Sequence, residues 1–143
     1  MPELPEPFAP HPARDASLAS MLAVEAGDKA AWLALFADDA VVEDPIGPSP
    51  FDPEGTGHRG KAAIEAFHDT VNGPNQVRFR IDQSWAGGLE VANVGTISTT
   101  LPDGTVVHTD GVFTYRVGGP GTDSDGLLVA LRAYWEIDRL RFG

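Results

Sequence analysis

The sequence contains no cysteine, which excludes disulfides, thiolate metal sites and redox chemistry at sulfur. Cations are scarce: 10 Lys and Arg stand against 21 Asp and Glu, a formal net charge of −11. A surface that negative repels phosphate backbones and anionic lipid, so no nucleic acid or membrane partner is expected. No uninterrupted apolar run approaches the ~20 residues of a membrane span. The first residues lack the basic and apolar stretches of a secretory signal, and a cytoplasmic protein is expected. The four histidines, at positions 11, 58, 68 and 108, show no metal-ligand spacing, and no metal is expected.

What is present suits one globular domain. A chain of 143 residues, 42% hydrophobic and 22% charged, has room for a single sizeable core. Residues 1–14 carry Pro2, Pro5, Pro7, Pro10 and Pro12 and read as a flexible arm, disordered or draped over the surface, ahead of a single domain at 15–143. Asp15 or Ser17 can cap a helix running to Ala26, with Leu18, Met21, Leu22 and Glu25 on one face and Gly27 at its end. Asp28 can cap a second helix with Trp32, Leu33, Leu35 and Phe36 as its apolar stripe. Ala40 to Asp44 reads as a short strand stopped by Pro45. Ala62 to Val71 predicts a third helix, with Ile64, Phe67, His68 and Val71 on one side.

Beyond Pro74 the period becomes twofold. Val77, Phe79 and Ile81 alternate with Arg78, Arg80 and Asp82, as in a half-buried strand. Leu89–Leu101 and Thr105–Val117 predict a hairpin around Pro102-Asp103-Gly104, and Leu127–Ile137 closes the sheet. Helices first and an antiparallel meander afterwards predict an α+β fold, a cone-shaped curved antiparallel sheet packed on three helices. The hollow end of such a cone suits one flat apolar ligand.

Asp44 stands out within this plan. In an extended segment it shares a face with Val42, so if Val42 faces the core, Asp44 faces it at the strand's end. A carboxylate there loses hydration, its pKa rises, and its basicity towards a carbon acid rises with it. The other reading of an Asp before proline is a simple turn opener.

Several segments resemble one family. They are Ala26-Gly27-Asp28, Leu33 to Ala40, Val42-Glu43-Asp44-Pro45-Ile46-Gly47, Gly60 to Ile64 with Phe67, Gly111 to Tyr115, and Arg132 to Trp135. Together they are similar to the bacterial steroid Δ5-isomerases, or ketosteroid isomerases, which have the nuclear-transport-factor-2-like fold. The resemblance implies Asp44 as a general base moving a proton from C4 to C6 of a 3-ketosteroid through a dienolate, with no cofactor. It further implies a homodimer formed through the outer sheet face. The family's donors to the dienolate oxygen are a tyrosine and a protonated aspartic acid. The tyrosine position matches Ser20, and the acid position matches Gly111 with Asp110 one residue earlier. A bulge at Gly111 would turn Asp110 inwards as the second catalytic group; unbroken alternation would turn it out. Tyr115 shares a strand face with Gly111 and Phe113, either as a replacement phenol or as a core aromatic. His68 matches a supporting tyrosine, and Phe67 and Trp135 match pocket aromatics. The substrate-binding set expected from the resemblance is therefore Phe67, His68, Trp135, Tyr115 and Ser20.

Two further readings compete with isomerisation: a non-catalytic binder of steroid-like or polycyclic molecules, and a polyketide-cyclase-like enzyme on the same fold. The Arg-x-Asp of limonene-epoxide hydrolases is absent, since Val94-Gly95-Thr96 stands in its place. The loop from Pro48 to Arg59, with Phe51 and His58, is expected over the pocket mouth as a partial lid.

Overall fold

A computed structural model describes residues 1–143. Helix α1 spans Pro12–Ala26, with Pro12 in its first turn and His11 Nδ1 accepting from the Ala13 N–H at 3.1 Å. It thus begins ahead of Asp15, because proline's fixed φ suits the first helical position and its missing N–H costs nothing there. Gly27, at φ 69°, ends it in the left-handed conformation. Ahead of α1, the Glu3 N–H donates to Phe79 O at 2.9 Å, and the Ile81 N–H to Glu3 O at 2.8 Å.

Helix α2, Lys29–Ala34, is capped by Asp28, whose Oδ1 accepts from the Ala31 N–H at 3.0 Å. It stops early because Phe36 already belongs to strand β1, Phe36–Glu43. Strand β2 is only His58–Arg59, and α3 spans Lys61–Val71. Then follow β3 Gln76–Gly87, β4 Glu90–Thr100, β5 Val106–Val117 and β6 Leu128–Tyr134. A 3₁₀ turn at Ile137–Arg139 and a two-residue β7, Arg141–Phe142, complete the chain.

The sheet order is β2-β1-β6-β5-β4-β3, with β7 added beside β5. The architecture is α+β as expected, but the sheet is mixed, because β1 runs parallel to β6 while the other pairs are antiparallel. Three reversals in the meander from β3 to β6 fix the direction in which β6 runs, and β1 enters beside it in that same direction. The core lies between the helices and the inner sheet face, where Trp32, Phe36, Met21, Ile64, Leu128 and Val42 are fully buried.

One irregularity interrupts the β3–β4 ladder. Register shifts between Ile81 and Gln83 opposite Gly95, where an added Cβ would stand 2.0 Å from Arg80 O, so only glycine permits the approach. The β4–β5 ladder, by contrast, pairs without a break from Glu90↔Arg116 to Thr100↔Val106.

A candidate active site around Asp44

Val42 is fully buried on the inner face of β1, and Asp44 follows it two residues later, just past the strand's end. Asp44 is half-buried and lines a hollow of about 300 Å³. The walls include Ile97 and Thr99 of β4, Val107 and Thr109 of β5, and Val71 of α3. Alternation sends the inward residues of β4 and β5 to this space, so the mostly apolar lining follows from the twofold sequence period. Trp135 Nε1 donates to Asp44 Oδ1 at 2.6 Å. Burial pushes the Asp44 carboxyl above the usual range, while the Trp135 N–H and the charge of nearby His58 pull it partly back. A carboxylate so placed is a stronger base than one in water.

The other expected residues divide into three groups. Trp135 is in the pocket wall and in direct contact with Asp44. Phe67, 5% exposed, packs its ring 4.8 Å from the ring of His58 and lines an adjoining hollow of about 230 Å³. That hollow shares Phe51, Thr70 and Val71 with the Asp44 pocket.

Ser20, Tyr115 and His68 lie deeper. Ser20 Oγ accepts from Trp32 Nε1 at 3.0 Å and is 2% exposed. Tyr115 is buried on the inner face of β5. Burial and the charge of Asp44 push its phenol well above the ordinary tyrosine range, against the pull of Ser20, so the phenol keeps its proton. His68 packs against Trp32, ring centroids 5.2 Å apart, and burial holds its pKa below the usual value. Its Nδ1 is buried without a hydrogen-bond partner. His68 therefore belongs to the layer between α3 and α2 and is absent from the Asp44 pocket wall.

Asp110 corrects an expectation. No bulge interrupts β5 at Gly111, so alternation turns Asp110 to the outer face. Arg141 donates to it twice, through Nε at 2.7 Å and Nη2 at 2.9 Å, and Thr96 Oγ1 donates at 2.6 Å. These bonds hold the carboxyl well below its ordinary range. It is thus an ionised acceptor on the far side of the sheet, not a protonated donor in the pocket. Gly111 points inwards instead, and an added Cβ would stand 2.5 Å from Tyr134 O and 3.0 Å from Trp135 Cβ. The chain segment that delivers Trp135 fills the space beside Gly111.

Sequence reasoning gave His58 no role beyond the loop. Strand β2 pairs it directly opposite Val42, so the two side chains project to the same inner face. A two-residue strand gives no periodic signal, although a histidine next to Gly60-Lys61-Ala62 at a helix start was visible. Leu140 was also missed, because it follows a 3₁₀ turn with no alternation around it. In the 48–59 loop, Asp52 accepts from the Gly55 and Gly57 N–H groups at 3.2 and 2.8 Å. Phe51, 41% exposed, touches both hollows at the mouth.

Comparison with known proteins places the chain in a family. The model of the SnoaL-like domain matches residues 18–122. A steroid Δ-isomerase of Nocardioides simplex is 29% identical over 113 residues, 79% of this chain and 80% of that protein. The crystal structure of a Δ5-3-ketosteroid isomerase from Mycobacterium sp. is 45% identical, with a TM-score of 0.85 over 92% of this chain and 98% of that one. The RV0760c protein of Mycobacterium tuberculosis, solved in complex with estradiol-17β-hemisuccinate, is 37% identical. Its TM-score is 0.85 over 93% of this chain and 100% of its own.

Proposed function

Because the chain belongs to the SnoaL-like domain family and shares its fold with a ketosteroid isomerase 45% identical to it, we propose that it is a steroid Δ5-isomerase with Asp44 as the base. One observation carries this reading: a carboxylate of raised pKa in a mostly apolar hollow, oriented by an indole N–H. The substrate is a 5-ene-3-ketosteroid. Its C4 proton is acidified by the neighbouring ketone and double bond, and Asp44 removes it to leave a dienolate and a neutral carboxylic acid. The same proton then passes from Asp44 to C6, the double bond moves into conjugation with the ketone, and the carboxylate is regenerated. Hydrogen bonding of Oδ1 to Trp135 leaves Oδ2 free for both transfers.

A second reading, a steroid binder without turnover, is favoured by the positions of the family's two donors. Gly111 offers no side chain, Ser20 offers a short hydroxyl already bonded to Trp32, and Asp110 faces outwards. The experiment that separates the readings follows the conjugated-enone absorbance after mixing the protein with 5-androstene-3,17-dione. The isomerase reading expects turnover that Asp44→Asn lowers by about 10² to 10⁴-fold with affinity retained. Tight binding with no conversion by the wild type would establish the binder instead.

A further inference from the structure

Residues 135–142 form a strap along one side of the Asp44 pocket. Its two half-buried positions, Trp135 and Leu140, are both in the pocket wall, while residues 136–139 between them are exposed. Few bonds hold this segment. Strand β7 contributes only two pairs to β5, Val107↔Phe142 and His108↔Arg141, and Arg139 bonds back to Glu136 within the strap itself.

The outer sheet face supplies the missing anchor. Arg80 Nη2 donates to Thr96 Oγ1 at 3.2 Å, Thr96 Oγ1 donates to Asp110 Oδ1 at 2.6 Å, and Arg141 closes on both oxygens of Asp110. The line of bonds therefore runs from β3 through β4 and β5 to the strap. Two parallel N–H···O bonds fix the direction of the guanidinium as well as its distance. Thr96, 4% exposed, fixes the carboxylate from the sheet side. Arg141 adjoins Leu140, and the extended backbone there sends the two side chains to opposite sides, one to the latch and one to the pocket.

We propose that Asp110 and Arg141 are positioning residues of the Asp44 site, their ion pair latching the strap so that Leu140 seats against the ligand and the Trp135 N–H stays on Asp44. The ligand half of this inference rests on the steroid reading above; the Trp135 half does not. A partly exposed ion pair contributes little to global stability. Its loss loosens the strap locally without unfolding the cone.

The test uses the full chain with ¹⁵N-labelled tryptophan. It reads the Trp135 indole N–H resonance, the dissociation constant for estradiol-17β-hemisuccinate and the melting temperature. Asp110→Asn and Arg141→Ala are each expected to shift or broaden that resonance and to weaken binding about three- to tenfold. The melting temperature should move by no more than about 2 °C. Exchanging the pair, Asp110→Arg with Arg141→Asp, should recover much of the affinity. An unmoved Trp135 resonance in both single variants overturns the latch. So does an affinity loss that tracks a large fall in melting temperature. If the wild type does not bind the probe, the steroid reading fails, and the indole resonance alone decides the latch.

Discussion

Replacing Trp135 by Phe removes one hydrogen bond from the base and keeps most of the ring that lines the pocket. The deleted bond, Nε1 to Asp44 Oδ1 at 2.6 Å, favours the ionised carboxylate. A hydrogen bond to a charged group contributes about 1.5–3 kcal/mol. Asp44 is only half-buried, so the lower end of that range applies. Losing a bond that favours the ionised form raises the Asp44 pKa further. The sign is fixed by the bond's direction: burial has already raised the pKa, and the indole N–H is the larger of the two effects holding it down. The acidic limb of the kcat/KM profile, where activity appears as Asp44 loses its proton, should therefore move to higher pH. Above the limb the rate should change far less. The assay is the pH dependence of enone formation, backed by a ¹³C titration of the Asp44 carboxyl that needs no turnover. A limb that stays in place or moves down would falsify the assignment of the indole as the group that tunes the base.

Asp44→Asn should raise the melting temperature at neutral pH while abolishing most turnover, because the folded protein no longer carries a carboxylate whose ionisation burial opposes. The folded pKa is raised, so that cost is full above it and disappears as pH falls towards the unfolded value; the stability gain should vanish in the same window, as acid-range thermal melts can verify. Replacing residues 49–57 by a short Gly-Ser link should weaken steroid binding, because Phe51 lines the mouth, and an unchanged dissociation constant by fluorescence titration disposes of the lid. Gly111→Ala should destabilise the fold by about 1–3 kcal/mol in urea unfolding, since its methyl meets Tyr134 O at 2.5 Å, and should disturb the Trp135 indole resonance.

The elements with a sustained period were the legible ones. Alternation in β3, β4 and β5 showed their inward faces, and Val42 carried Asp44 inwards in the same way. The resemblance supplied the pocket aromatics Phe67 and Trp135, which no period distinguishes from core. Asp110 shows the opposite case: plain alternation turns it out, and the β4–β5 ladder contains no bulge to reverse it. The parallel contact of β1 with β6 joins segments about 90 residues apart and leaves no local pattern. Strands β2 and β7 are two residues each, too short for any period, so the placement of His58 and the anchoring of the strap emerge only from pairing.

The order of the sheet has a consequence for how such a protein changes over generations. Asp44 follows β1, an interior strand held by β2 on one side and β6 on the other, so its position is inherited with the fold. Much of the pocket wall comes instead from the 48–57 loop, the end of α3 and the strap, which few backbone bonds tie to the sheet. Substitutions in those segments can alter the shape of the pocket without displacing Asp44. The lining of the pocket and the placement of Asp44 are thus free to drift at different rates in descendants of this chain.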